Sequence, residues 1–361
     1  MNFFFLNSHA HRALDPAETK VSGGAELQVA LMAEELVRRG HNVTIAGGDS
    51  GQPVDRTIGG VALRTAGRFH TGTWVDTASA LPKVARLLGE AKPDFVCILG
   101  WTAWLDLLGR VRNLFGYKMV YICGLDPEID GTFGRTHGWK GKLFERGVRS
   151  ADYRFAMSEH QSRLFAESEL THGLYRNLIR SRRAPQAKNK PVDLLWVARC
   201  RRIKRPHLFL DLAGRFPNAR CEMICPREDA GLWEEVAARA RSIANVIFRE
   251  SVPYAEIQDR YDEAKFLVST SEAEGFPNNM IQAAQGGAGI LSLEVDPDGF
   301  IGKFGAGFCA EGDFARLVQE TGARLADDNS AAISGRGAAR MIAEWLDNGA
   351  NTGAFLKYLG V

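Results

Sequence analysis

Short apolar runs alternate with longer stretches of helical periodicity along this chain, and that alternation predicts an α/β protein built on parallel sheets. In the first half, the runs at 3–6, 42–46, 94–99, 118–123 and 153–157 read as strands. In the second half, the runs at 193–198, 220–224, 245–248, 266–269 and 289–293 do the same. Each set suffices for one doubly wound sheet. Between the sets lies 176–190, a basic stretch with a proline and no apolar periodicity, which reads as an interdomain linker. The predicted domains are 1–185 and 186–361. The C-terminal helices are expected to be able to pack back on the first domain; the last clear helix is 338–346, and an apolar tail lies at 355–359.

Length supports two domains, since 361 residues suit two cores of ordinary size. Lysine and arginine total 45 against 43 acidic residues, and a net charge of +2 argues against a general nucleic-acid binder. The six cysteines are scattered, and Cys221 and Cys225 are spaced unlike a zinc knuckle. Buried thiols and a cytoplasmic location are the expectation. The N-terminal apolar run is too short for a signal peptide and no basic segment precedes it. No run approaches the roughly 20 apolar residues of a membrane span.

Three constellations carry chemistry. In the first, Val21-Ser-Gly-Gly-Ala-Glu26 opens a helical stretch over 27–39 that Gly40 closes. Adjacent glycines let the backbone approach a ligand, and a helix N-terminus favours anions. A plain loop-to-helix turn is the equal alternative. The second is Trp196-Val-Ala-Arg199, a strand running directly into a cation at the edge where open α/β sheets bind ligands, with Lys204 five residues on. Arginine's planar fork and lysine's point charge together suit a diphosphate. Five of the eight residues from Arg199 to Pro206 are basic, so a solvated basic loop is the competing reading. The third is Ser271 to Ala283, where Glu274 follows an apolar run, Gly275-Phe276-Pro277 turns, and Asn278 and Asn279 start a helix. A turn into a helix N-terminus cradles phosphate. A carboxylate beside it suits sugar hydroxyls, so the stretch suggests a nucleotide-sugar site.

Taken together, these residues resemble the retaining glycosyltransferases of the GT-B fold, of the group 1, polysaccharide-assembly type. The resemblance spans Ser-Gly-Gly-Ala-Glu with Arg39-Gly-His-Asn-Val-Thr, then Ser150-Ala-Asp-Tyr-Arg-Phe-Ala-Met-Ser-Glu159. It continues through Val197-Ala-Arg199 with Lys204, Glu274-Gly-Phe-Pro, and Ser292-Leu-Glu-Val-Asp-Pro-Asp-Gly299. It implies two Rossmann-like domains around an interdomain donor cleft, with the acceptor domain first and the donor domain second. It implies a metal-independent, hexosyltransferase-like enzyme with a nucleotide-diphosphate sugar as substrate, no cofactor, and a glycan or lipid-linked acceptor. Gly23 and Gly24 match the turn near donor phosphate and acceptor. Arg199 and Lys204 match the diphosphate pair, and Glu274 the first carboxylate of an E-x7-E pattern that contacts the transferred sugar. The backbone after Phe276, with Asn278 and Asn279, matches the phosphate cradle.

The chain departs from that pattern twice. Gln282 stands where the ribose-binding glutamate is expected, and a glutamine amide still bonds hydroxyls without charge. The histidine many members carry after a mid-domain strand is missing from Tyr121-Ile-Cys-Gly-Leu-Asp-Pro-Glu-Ile-Asp130; Asp126 and His137 are the candidates for its acceptor or acid–base role. Asp296-Pro-Asp298 resembles a metal-binding D-x-D on paper, but no metal is expected there. Trp139, Leu143, Phe144 and Val148 recur at helical spacing among basic residues, which is either an ordinary packed helix or a peripheral contact with the inner membrane face. The competing classes are a nucleotide-sugar epimerase, a phosphorylase, and a non-catalytic GT-B protein that binds a nucleotide or a partner.

Overall fold

The structure is a computed structural model and describes residues 1–15, 23–48, 55–67, 74–180 and 189–361. Val21, Ser22 and linker positions 181–188 lie outside the described residues. The chain divides into two compact units: unit 1 is Met1–Arg180 with Asn348–Val361, and unit 2 is Ser181–Asp347.

Unit 1 holds β1 (Asn2–Leu6), β2 (Asn42–Gly48), β3 (Arg56–Ile58), β4 (Val61–Gly67), β5 (Phe95–Leu99), β6 (Lys118–Ile122), β7 (Tyr153–Ala156) and β8 (Gly173–Leu174). They form one sheet in the order β3-β4-β2-β1-β5-β6-β7-β8. Every pairing is parallel except β3 with β4. Parallel strands are covered on both faces, which is why β1 and β6 read as nearly unbroken apolar runs. Phe4, Val96, Tyr121 and Ala156 lie in the core, and Phe144 and Val148 of the helix Gly138–Ser150 join them. That helix therefore spends half of its predicted apolar face on unit 1, while Trp139 stays 52% exposed.

The hairpin of β3 and β4 was not among the predicted strands. Its turn is Gly59-Gly60, both with positive φ (56° and 85°), the conformation a two-residue hairpin requires. A side chain at Gly60 would also meet Val37 Cγ1 at 2.6 Å.

Unit 2 holds β9 (Val192–Val197), β10 (Cys221–Ile224), β11 (Val246–Arg249), β12 (Ala264–Ser269), β13 (Gly289–Ser292) and β14 (Gly307–Cys309), in the order β11-β10-β9-β12-β13-β14 and all parallel. Leu194, Trp196, Met223, Phe266, Val268 and Leu291 centre its core. The short strand β14, also absent from the sequence reading, lies so close to β13 that a Cβ at Gly307 would fall 1.8 Å from the Ile290 carbonyl oxygen. Helix starts are capped as their sequences dictate. Ser158, Asp229 and Asp313 accept from the backbone N–H groups of Gln161, Leu232 and Arg316. All six cysteines are free thiols, five of them buried. Among the described residues no helix is long and apolar enough to cross a membrane.

The apolar tail predicted at 355–359 is the end of a helix, Asn348–Leu359, and it belongs to unit 1. Phe355 packs its ring 4.7 Å from that of Phe155 and 5.3 Å from Tyr175. Asn348 closes the contact by accepting from Ile179 N (2.8 Å) and donating to Ile179 O (2.7 Å).

Candidate functional site

In unit 2 the chain lays down β9, then β10 and β11 to one side, then β12 on the other side of β9. The strand order reverses between β9 and β12, and open α/β sheets bind ligands outside the carboxyl ends of strands at such a point. Register aligns Leu195 with Leu267, so the two strands end level and their loops leave together.

Those loops are laced to each other. Trp196 Nε1 donates to Thr270 Oγ1 (3.0 Å), which in turn donates to Lys204 O (2.7 Å). Glu272 N donates to Ile203 O (2.9 Å). Arg205, in the left-handed region at φ 46°, donates through Nε to Thr270 O (2.7 Å) and through Nη2 to Ser271 O (3.0 Å), and pairs with Glu294. Backbone carbonyls bound this way fix where Lys204 and Glu274 emerge.

Lys204 and Glu274 emerge onto each other. Their Nζ and Oε1 atoms form an ion pair, and Ser271 Oγ donates to the same oxygen (2.8 Å). The side chains are only 18% and 13% exposed, because the laced loops enclose them. Arg199, on the loop after β9, lies 3.7 Å from Glu228 of the loop after β10.

Beyond Glu274 the turn is buried at Gly275, Phe276 and Pro277, with the Phe276 ring stacked 5.8 Å from that of Phe300. Pro277 then precedes the helix Asn278–Gln285, whose start has no side-chain cap and no acid in its first turn. Its N-terminus keeps its partial positive charge facing the same edge. Asn279 acts as a strut, donating from Nδ2 to Val197 O at the end of β9 (3.1 Å) and accepting from Met280 N (2.8 Å). Gln282 is half-buried one turn on, its carbonyl bound by Gln258 Nε2 (2.9 Å). Unit 2 thus brings Arg199, Lys204, Glu274, the turn and the helix start to one edge. Asp296, on the loop after β13, accepts from Ile301 N (2.9 Å), and burial pushes its carboxyl up.

The remaining candidates are in unit 1. Gly23 precedes the helix Gly24–Arg38 with φ −89°, a conformation open to any residue, and Glu26 lies in the first turn. Asp126 starts a one-turn helix after β6 and lies 3.4 Å from His160 Nε2. His137 is exposed, its ring stacked 4.0 Å from Phe133 and its Nδ1 2.8 Å from Thr136 Oγ1.

Two acids escaped the sequence reading. Glu128 is 4% exposed and accepts from Tyr121 Oη (2.6 Å) and Gly124 N (2.8 Å), with further bonds from the N–H groups of Leu125 and Trp101. It thereby ties the loop after β5 to the loop after β6, and its burial pushes the carboxyl up against the pull of those hydrogen bonds. Its signal was a carboxylate in the loop that follows a strand. Glu228 carried the same signal after β10.

These two sheets define the class of fold: the chain takes the α/β, two-domain Rossmann-like architecture of GT-B structures. Sucrose-phosphate synthase from Thermosynechococcus elongatus superposes with a TM-score of 0.80 at 14% identity, covering 99% of both chains. WaaG, a glycosyltransferase involved in lipopolysaccharide biosynthesis, gives 0.73 at 14% identity over 99% of this chain and 100% of its own. HepE from Anabaena, in complex with UDP, gives 0.69 at 14% over the whole of both chains. More particularly, residues 23–173 match the family described as glycosyl transferase 4-like domain. No curated protein matches the sequence.

Proposed function

We propose that this chain is a retaining glycosyltransferase that moves a sugar from a nucleoside-diphosphate sugar to a glycan or lipid-linked acceptor in cell-surface polysaccharide assembly. The observation that supports it most is the β9/β12 edge, where Lys204, Glu274, Arg199 and an uncapped helix start meet on laced loops. The match of residues 23–173 to a glycosyl transferase 4-like domain points the same way.

The chemistry follows from charge. As the bond from the sugar's anomeric carbon to the diphosphate breaks, negative charge grows on the leaving oxygens. Lys204, Arg199 and the helix N-terminus are proposed to stabilise it. In this reading those groups do the work a divalent cation would otherwise do, and the departing diphosphate takes the acceptor's proton on the same face. Glu274 accepts from the sugar's hydroxyls once Lys204 turns to the phosphate. Gln282 bonds the ribose hydroxyls through its amide. The proposal places the enzyme in the cytoplasm, with a peripheral approach to the inner membrane face for a lipid-linked acceptor.

A thermal-shift panel of uridine, guanosine and adenosine diphosphates and their sugars tests the donor site, since a ligand that binds only the folded state raises the melting temperature. One base is expected to shift it, and Arg199→Ala with Lys204→Ala together to remove the shift. A flat response across the panel would overturn the reading. UDP in HepE makes uridine the first base to try. Transfer is then followed by NMR of the product anomer, where inversion would contradict retention.

A further inference from the structure

Three acids meet the basic loop after β9, each from the loop after a different strand. Glu274 holds Lys204 in an enclosed pair, and Glu294 holds Arg205, whose guanidinium is committed to the Thr270 and Ser271 carbonyls. Glu228 differs. Its carboxylate receives Arg201 through Nε (2.6 Å) and Nη2, and lies 3.7 Å from Arg199 Nη1. The Arg199 and Glu228 side chains are each 34% exposed. Two guanidinium forks converging on one solvent-accessible anion make the arrangement that also suits phosphate oxygens. Here the chain fills it with a carboxylate of its own.

We infer that Glu228 is an internal competitor for the phosphate seat, an affinity-setting residue that a nucleoside diphosphate must displace from Arg199 and Arg201. The inference rests on the donor-site reading above. Two anions cannot share these donors, and their repulsion across a few ångströms at a half-exposed site weakens ligand binding. The same competition helps expel a diphosphate product, because the carboxylate returns as the product leaves. Without Glu228 this loop would carry one negative charge less beside the incoming phosphates, and binding would be tighter and more sensitive to salt.

Glu228→Gln isolates the charge, since glutamine keeps the length and an acceptor oxygen for Arg201. Glu234→Gln is the control: Glu234 lies on the helix Ala230–Ser242, 60% exposed and paired with Arg227. Titration calorimetry with uridine, guanosine and adenosine diphosphates is run on the three proteins at low and high salt, with circular dichroism confirming that each is folded. The expected result is binding roughly threefold to tenfold tighter for Glu228→Gln, with a steeper salt dependence, and wild-type affinity for Glu234→Gln. Equal or weaker binding by Glu228→Gln overturns the inference while leaving the donor site standing, because Glu228 would then be holding the arginines in position. If neither wild type nor Glu228→Gln binds any of the nucleotides, the donor-site reading fails and takes the inference with it.

Discussion

The Lys204–Glu274 pair ties the proposed donor chemistry to stability in one contact. Both groups are mostly enclosed, so removing one partner leaves the other charged with little water to replace it. Lys204→Ala is expected to cost about 1–3 kcal/mol, less than a fully buried pair would because some solvent screening remains. Lys204→Ala with Glu274→Ala together should recover part of that loss. Urea denaturation reads both, and a single mutant as stable as wild type would show that the pair is screened like a surface one. An activity loss in Lys204→Ala therefore has to be read against its folded fraction. That Arg199, Lys204 and Glu274 share one sheet edge was legible in the sequence because all three lie in loops that follow apolar strands. Their mutual pairing was not legible, nor was the strut role of Asn279, because both depend on how far loops from non-adjacent segments are drawn together. Glu228 and Glu128 were missed for the same reason: an acid after a strand has no meaning until its neighbours in space are known.

Among elements, the clearest link made by charge joins the helices Leu105–Phe115 and Gly138–Ser150. Asp106 accepts from Arg146 Nε (2.6 Å) and Nη2 (2.7 Å) and from Arg110 Nε (2.9 Å). Its hydrogen bonds from Arg146, then from Arg110, hold the carboxyl below the usual aspartate range. A carboxyl depressed by folding stabilises the native state above its unfolded value, and that contribution fades as pH falls through the folded value. Asp106→Asn should therefore be less stable than wild type at neutral pH, by no more than about 1 kcal/mol for so exposed a set of arginines. The two should converge below pH ~4. Denaturation midpoints measured across that range decide it, and a gap that persists in acid would assign the effect to shape rather than charge. At this scale the sequence carried much of the fold. The buried parallel strands announce themselves as apolar runs, and every predicted strand lies on an observed one. What escaped were short edge pieces: β14 has three residues and β8 two, too few to show a period. The β3–β4 hairpin escaped although its Gly-Gly turn was readable, because β3 is exposed and lacks an apolar run.

Across the whole molecule there are two cores, one from a continuous segment and the other from two segments far apart in the chain. The sequence reading breaks the chain near 185 and allows C-terminal helices to pack back on the first domain; unit 1 takes back Asn348–Val361 after unit 2 is complete. Which sheet it covers was not legible, since the helix Asn348–Leu359 carries no mark in the sequence for its partner. The physical reason lies in the aromatic residues of unit 1. Phe3, Phe155 and Tyr175 form an apolar surface that Phe355 closes, itself fully buried, with Tyr358 against Tyr153 and Phe155. Removing that ring leaves a cavity among aromatics that have no smaller packing to adopt, so Phe355→Ala should cost about 3–5 kcal/mol. The loss should fall on unit 1. Hydrogen exchange is expected to quicken in β1 and β7, beside the cavity, and to stay at its wild-type rate in β9 and β12. Nucleotide-dependent protection of the β9/β12 loops should likewise survive the mutation, because every group proposed to hold the diphosphate belongs to unit 2. Equal loss of protection in both sheets would mean that the two units unfold as one, and that the last helix stabilises the donor site as well as the fold it covers.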